Sequence, residues 1–246
     1  MLDLTPQVIR FANGRAAPML HVPQGTPPLA MMDALALARP RAMLIVNGGT
    51  GKIDADVTAR LAELLQEGVA RLVVDDHVTV MTGGTDAGIF ALLGQGMAKR
   101  TPSAPCIGVA VYNLATWPGR DAGEAPLEPH HSHFILVEGQ DWGDETTTMY
   151  ALAEELARGR PSAALFANGG EITIHEMLAN VRQARPMILL AGSGRTTDAV
   201  LAVRGGGPTD DPRLVEIARY DGILVFDIHQ TPDALRALIR SVLVRP

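Results

Sequence analysis

The 246-residue sequence has little cysteine. Its single thiol, Cys106, lies in the apolar run 105–112. One cysteine permits no intramolecular disulfide, which excludes a disulfide-stabilised scaffold of the secreted kind. We expect Cys106 to be an inert thiol buried in a strand.

Long apolar runs are also absent. No stretch approaches the roughly 18 uninterrupted apolar residues of a membrane-spanning helix. Residues 1–6 lack the basic-then-apolar order of a signal peptide. We therefore expect a cytoplasmic protein that has no membrane partner.

Positive charge is in deficit, with 21 Lys and Arg against 27 Asp and Glu and a formal net charge of −6. An acidic surface does not attract the phosphate backbone of nucleic acids, so we expect no nucleic-acid partner. Any phosphorylated ligand would need a local basic pocket.

Two familiar phosphate-binding motifs are missing. Gly51 and Lys52 are followed by Ile53 where a P-loop has Ser or Thr, and no Gly-x-Gly-x-x-Gly run is present. Conventional nucleoside triphosphatases and dehydrogenases are therefore disfavoured.

The chain does contain repeated junctions at which a short apolar run meets glycines and then a helical pattern. The first run, 41–47, is followed by a helix that we expect Asp54 to cap and Gly68 to end. Because parallel strands need crossover connections, this alternation predicts an α/β protein with a Rossmann-like three-layer fold. Its mostly parallel central sheet would carry helices on both faces.

No linker divides the chain, so we expect a single domain over 1–246, with a core of about 40–246 and an N-terminal extension, 1–39. Strands are expected at 105–112 and 132–137. The Pro-, Gly- and His-rich loop between them, 117–131, is expected to overhang the site.

Four junctions, 47–51, 82–88, 168–176 and 191–198, place backbone amides at helix N-termini, where the helix dipole favours an anion such as phosphate. The carboxyl ends of parallel strands meet at one sheet edge, so the junctions should form one site. The candidate ligand-binding residues at these junctions are Gly48, Gly49, Thr50, Gly83, Gly84, Thr85, Asp86, Asn168, Gly169, Gly170, Thr173, Gly192, Ser193, Gly194, Arg195 and Asp198.

Three charged residues carry specific hypotheses. Arg195, in the first turn of a helix, opposes the dipole and favours an anionic ligand. Asp198 could cap that turn, pair with Arg195 or accept a hydrogen bond from a ribose hydroxyl. Glu176 follows Thr173 by three residues on a similar helix face and could meet a ribose or point into solvent.

A histidine-rich run, His130-His-Ser-His133, allows two interpretations. Alternating His131 and His133 could bind a metal, but no third ligand has suitable spacing. We therefore expect no metal, and we place His131 and His133 in the ligand site at a junction of loop and strand.

Four ordered segments, 82–88, 105–110, 131–137 and 192–198, resemble the N-terminal cytosolic homology region of melastatin-type (TRPM) channels. The chain looks like a stand-alone prokaryotic relative of that LSDAT-type region. The group belongs to the SLOG superfamily of Rossmann-like domains, together with the Lonely-guy phosphoribohydrolases. The resemblance covers roughly residues 40 to 240 and does not imply ion conduction.

The resemblance implies a nucleotide-derived ligand, with ADP-ribose and other NAD products as the leading candidates. Segment 168–176 is also similar to the Lonely-guy motif Pro-Gly-Gly-x-Gly-Thr-x-x-Glu, although Asn168 replaces the proline and Ile172 the third glycine. By this similarity, Glu176 would be the catalytic carboxylate of an N-glycosidic-bond hydrolase.

Three functions remain open. The first is a homo-oligomeric nucleotide sensor that requires no cofactor, and the second is a nucleotide N-ribosyl hydrolase. The third is an interaction domain with a vestigial site.

Overall fold

The structure is a computed structural model that describes residues 4–51, 53–101 and 104–244. Its strands are β1 (Gln7–Arg10), β2 (Ala16–Val22), β3 (Ala42–Gly48), β4 (Val78–Thr82), β5 (Cys106–Val111), β6 (Ala115–Thr116), β7 (Ala125–Pro126), β8 (His133–Val137), β9 (Ser162–Ala167), β10 (Met187–Ala191) and β11 (Ile223–Asp227). Its helices are α1 (Pro28–Ala34), α2 (Ala55–Glu63), α3 (Ala70–Asp75), α4 (Gly88–Ala98), α5 (Thr146–Leu156), α6 (Glu171–Arg182), α7 (Arg195–Arg204), α8 (Pro212–Ala218) and α9 (Pro232–Leu243).

Nine strands of the described part of the chain form one sheet in the order β1-β2-β8-β5-β4-β3-β9-β10-β11. Only the β1–β2 pair is antiparallel, and the other neighbours are parallel. From β3 the chain builds one side of the sheet through β4, β5 and β8, and it then returns to add β9 on the other side. Such a reversal leaves a crevice at the carboxyl ends of the strands, where α/β proteins bind ligands.

Two apolar layers cover the sheet. Helices α1, α5, α6, α7 and α8 supply buried side chains to one layer, and α2, α3, α4 and α9 supply them to the other. The helices are amphipathic because one face packs against the strands while the other meets water. The predicted three-layer fold is therefore confirmed.

The prediction that Gly68 ends a helix is wrong. Asp54 does cap α2 through a hydrogen bond from the Asp56 amide, but α2 runs through π-helical turns at Leu64–Val69 directly into α3. A Cβ on Gly68 would lie 3.1 Å from the carbonyl oxygen of Pro232. The glycine therefore serves a close approach of α9 rather than a helix end.

The N-terminal residues, to which the sequence pattern assigned no element, join the same sheet. Strand β2 pairs in parallel with β8, and β1 then forms one edge. No helix in the described ranges combines the length and apolarity that a bilayer crossing requires.

We predict that Gly84→Ala destabilises the fold far more than Gly159→Ala. Both glycines have left-handed φ values, +72° and +73°, so an alanine should cost each about 1–2 kcal/mol. A Cβ at Gly84 would also lie 2.8 Å from the Cα of Gly108, whereas Gly159 has nothing within 4 Å. Urea unfolding should give a loss above about 3 kcal/mol for Gly84→Ala only. Equal losses would contradict this close approach.

Candidate functional site

A cavity of about 440 Å³ opens at the carboxyl ends of β3, β4 and β9. This volume lies within the range of small-molecule sites. Its lining residues are Gly48, Gly49, Thr50, Gly51, Gly83, Thr85, Ala87, Phe90, Glu124, Ala125, Trp142, Glu145, Met149, Gly170, Glu171, Ile172, Thr173, Glu176 and Arg195.

The glycines of the cavity wall permit contacts between backbones. A Cβ on Gly48 would lie 1.9 Å from the carbonyl oxygen of Ala167, and one on Gly88 would lie 2.2 Å from that of Gly49. No side chain fits at either place. The loops after β3, β4 and β9 therefore meet directly and leave their backbones facing the cavity.

Arg195 provides a cation at one end of this cavity. Its backbone is left-handed, with φ +52°, and its side chain is exposed. A Cβ on Gly170 would lie 3.2 Å from Nη2 of Arg195, and one on Gly51 would lie 3.7 Å from Nη1. Within the described ranges, the guanidinium has no ion pair and no hydrogen bond. It is therefore available to an anion. A charge-assisted hydrogen bond from the guanidinium to an anion is stronger than its hydrogen bond to water.

The first turn of α6 faces the same end. The amides of Gly169 and Gly170 are occupied by Asn168 Oδ1 at 2.9 Å and Thr173 Oγ1 at 3.2 Å. The next two amides, 171 and 172, have no hydrogen-bond acceptor among the described residues. Together with the helix dipole they make this end of the cavity attractive to negative charge.

Two carboxyl groups, Glu145 and Glu176, line the cavity although both residues are more than nine-tenths buried. Burial, with the nearby Glu145 charge as a second cause, raises the pKa of Glu176 well above its usual range. Burial also raises the pKa of Glu145, and the amides of Glu145 and Gly143 partly offset the effect. The two carboxyl groups are thus electrostatically coupled.

Aromatic and apolar side chains form the remaining wall. Trp142 donates its indole N–H to Glu124 at 2.8 Å. This hydrogen bond joins the loop after β8 to the segment between β6 and β7. Phe90, Met149 and Ile172 complete the apolar surface. A flat, apolar wall beside polar groups suits a heterocyclic ring.

Sequence reasoning did not identify Glu124, Trp142, Glu145 or Met149 as site residues. The overhanging loop expected at 117–131 does supply Glu124 and Ala125 to the lining. That expectation was the only signal for this wall, because the loop after β8 carries no recognisable motif.

Ten of the eighteen predicted ligand-binding residues lie outside the cavity lining, whereas the predicted catalytic residue, Glu176, belongs to it. The predicted residues that line it are Gly48, Gly49, Thr50, Gly83, Thr85, Gly170, Thr173, Glu176 and Arg195. Those that do not are Gly84, Asp86, His131, His133, Asn168, Gly169, Gly192, Ser193, Gly194 and Asp198.

At the fourth junction, the protein itself supplies the anion. The Asp198 carboxylate accepts hydrogen bonds from the amides of Gly192 at 2.9 Å and Gly194 at 2.8 Å. Three roles were considered for Asp198, and in the structure it caps the turn before α7. These two amides are therefore not open to a phosphate, and only Arg195 of this junction reaches the cavity.

His131 is buried behind the site rather than facing it. Its Nε2 lies 2.7 Å from Thr82 Oγ1, and its Nδ1 lies 2.8 Å from Glu128 Oε2. Thr82 Oγ1 in turn accepts from the Gly84 amide at 2.9 Å. This chain of hydrogen bonds holds the glycine-rich loop after β4.

His133 lies at the amino end of β8, opposite the glycine-rich ends. There it lines a second cavity of about 310 Å³ with Arg41, His77 and Thr79. The prediction that His131 and His133 share a face assumed that both lie in one strand. Strand β8 begins only at His133, so His131 lies outside it. Among the residues described, no three His, Cys, Asp or Glu side chains are grouped as metal ligands.

The chain is an α/β protein with a Rossmann-like sheet and a cavity at glycine-rich strand ends, and an unpaired arginine beside a helix N-terminus lines that cavity. The chain belongs to the family described as SLOG in TRPM, prokaryote, whose model matches residues 41–237. The resemblance to this family is thereby confirmed.

Curated relatives include TRPM channels of animals. The chain is 25% identical over 225 residues to a transient receptor potential channel of Caenorhabditis elegans, which covers 78% of the chain and 11% of the channel. It is 25% identical over 233 residues to human subfamily M member 7, with 78% and 12% covered. It is 22% identical over 202 residues to rat subfamily M member 2, with 67% and 13% covered. The chain thus spans about an eighth of each channel.

We predict that the His131–Glu128 pair stabilises the fold near neutral pH and that this stabilisation is lost as the pH rises. Burial opposes the charged imidazole, but Cys106 and Glu128 outweigh burial and raise the pKa of His131 from 6.5 to about 10. A raised folded-state pKa gives stability that is complete below the unfolded value and is lost as pH rises toward the folded one.

The free energy of unfolding of the wild type should therefore exceed that of His131→Gln most near about pH 6, and the difference should shrink toward about pH 10. Urea unfolding across this range measures it. His229→Gln is the control, because His229 is exposed. A difference independent of pH would contradict a charged His131.

Proposed function

We propose that the strand-end cavity binds a phosphorylated nucleotide or nucleotide-sugar of the ADP-ribose or NAD-derived class, and that the protein acts as a sensor of this ligand. The observation that carries the proposal is the unpaired guanidinium of Arg195 beside the first turn of α6. Membership of the SLOG family supports a nucleotide-related function.

A phosphate group fits the end of the cavity that Arg195 shares with Gly51 and Gly170. It would accept hydrogen bonds from the guanidinium and from the free amides of α6, which are the donors that anions use at helix N-termini. The carboxyl groups Glu145 and Glu176 also line this cavity, but they would repel a phosphate. We therefore place the phosphate at Arg195 and the sugar nearer the carboxyl groups.

The remaining wall suits a base. Trp142 and Phe90 offer aromatic surfaces, and Glu124 offers a carboxylate beside Trp142. A nucleobase presents an apolar face and hydrogen-bonding edges, which match such a wall. A cavity of about 440 Å³ has room for a phosphate, a sugar and a base together.

We predict that at least one of AMP, ADP-ribose, NAD and ribose 5-phosphate raises the melting temperature of the wild type, and that Arg195→Ala reduces this effect. Loss of a charge-assisted hydrogen bond costs about 1.5–3 kcal/mol, or roughly a 10- to 100-fold weaker Kd. Thermal-shift titrations measure the rise in melting temperature and the change in Kd. Sedimentation of the same samples tests for the expected homo-oligomer and for its response to ligand.

The control for this experiment is Arg219→Ala, which removes an exposed arginine at the end of α8, outside the cavity lining. Its affinity should equal that of the wild type. A wild type that no ligand stabilises would refute the proposed binding, and equal binding by Arg195→Ala would refute the phosphate position.

Hydrolysis of a nucleotide N-glycosidic bond is a second candidate function. The observation that favours it is the Glu176 carboxyl group, which is buried, faces the cavity and has no hydrogen-bond or ion-pair partner among the described side chains. A carboxyl group with a strongly raised pKa that lines a cavity is a candidate catalytic acid.

For this candidate we predict that the wild type releases free base from one of the same nucleotides and that Glu176→Ala does not, while its thermal shift with the ligand persists. Chromatography of the reaction mixtures measures the base. Release by Glu176→Ala at the wild-type rate would exclude Glu176 as the catalytic group, and a wild type without product would leave binding alone.

A further inference from the structure

The two carboxyl groups of the cavity have different surroundings. Glu145 accepts a hydrogen bond from the Gly143 amide at 2.8 Å, which favours its ionised form. Glu176 has no such donor: the Asn180 amide beside it bonds instead to the carbonyl oxygen of Glu176 at 2.8 Å and to the Tyr150 hydroxyl at 2.9 Å. The surroundings of Glu145 therefore favour an ionised carboxyl group more than those of Glu176 do.

The charged groups around Glu176 reinforce this difference. The Glu145 carboxyl group faces Glu176 from the N-terminal end of α5, and its charge disfavours a negative charge on Glu176. The Tyr150 hydroxyl of α5 also lies near Glu176, and it is neutral because burial raises its pKa well above the usual range. Arg185 lies behind Tyr150 and bonds to Asn180, and Glu171 is paired with Arg213. Arg195 lines the same cavity but makes no ion pair with Glu176, so no cation in the described structure offsets burial of this carboxyl group.

The spacing along α6 suits a nucleotide. Glu176 lies five residues beyond Glu171, which is about 7.5 Å of helix rise from the free amides at the N-terminus. A phosphate held at those amides and Arg195 would place the attached ribose ring beside Glu176. Glu145, just before α5, lines the cavity as well.

We propose that Glu145 and Glu176 form a catalytic pair for N-glycosidic hydrolysis, in which Glu176 donates a proton to the departing base and Glu145 accepts one from the attacking water. This inference rests on the second proposed function and extends it to Glu145, a residue outside the glycine-rich motifs.

The step is balanced in atoms and electrons. The water oxygen forms a bond to C1′ of the ribose while the bond from C1′ to the base nitrogen breaks, and its electron pair goes to the base. The Glu176 carboxyl proton passes to that nitrogen, and a water proton passes to the Glu145 carboxylate. Transfer of a proton between the two carboxyl groups then restores the starting state, as in inverting glycosidases.

The pair predicts a bell-shaped dependence of base release on pH, because Glu145 must be ionised and Glu176 protonated. Glu145→Gln keeps an acceptor for the Gly143 amide but removes the base, so release from AMP or NAD should fall about 100-fold. Removal of the Glu145 charge also lowers the pKa of Glu176. The alkaline limb of the residual activity should therefore move to lower pH.

Glu154→Gln is the matched control, since Glu154 lies on α5 but is exposed and does not line the cavity. It should keep the rate and the pH profile of the wild type. The acidic limb, which reports ionisation of Glu145, should disappear in Glu145→Gln. A merely structural role for Glu145 would lower the rate but leave the acidic limb in place, and that result would overturn the proposal.

Thermal shift separates this inference from ligand binding. Base release by the wild type with the stated behaviour of Glu145→Gln supports the pair. A wild type that is stabilised by a nucleotide but releases no base overturns the pair and leaves the binding proposal intact. A wild type that neither binds nor releases base overturns both.

Discussion

The site depends on contact between backbones at the carboxyl ends of the strands. Gly48 meets the carbonyl of Ala167, and Gly88 meets that of Gly49, at distances that exclude any side chain. Because β3, β4 and β9 end so close together, their loops expose amides rather than side chains. The backbone lining of the cavity follows from this packing.

Charge is separated within one cavity. Arg195 and the first turn of α6 form a positive end, while Glu145 and Glu176 line the same space without pairing to that arginine. An ion pair between the two ends would satisfy both groups and leave little to attract a ligand. A buried carboxyl group that stays protonated avoids most of the cost of burial and keeps its proton available.

The sequence predicted the parts of the molecule that local patterns determine. Apolar runs ending in glycine located β3, β4, β9 and β10, and helical spacing located the helices between them. It did not predict Trp142 and Glu145, because their approach to the cavity depends on how the loop after β8 folds. It misplaced His133, because the start of a strand decides which sheet edge a residue occupies. Strands β1 and β2 escaped notice since β1 pairs with β2, and β2 joins the sheet through β8, which is more than 100 residues away.

The division of the cavity into a backbone part and a side-chain part bears on how such proteins diversify. Apart from Arg195, the end of the cavity next to α6 consists largely of glycines and amides, so exchange of other side chains leaves its backbone donors unchanged. The opposite wall consists of ordinary side chains, including Met149, Ile172 and Trp142, none of which belongs to a strand. Exchange of side chains in that wall would therefore change the shape of the cavity while its backbone donors stay in place.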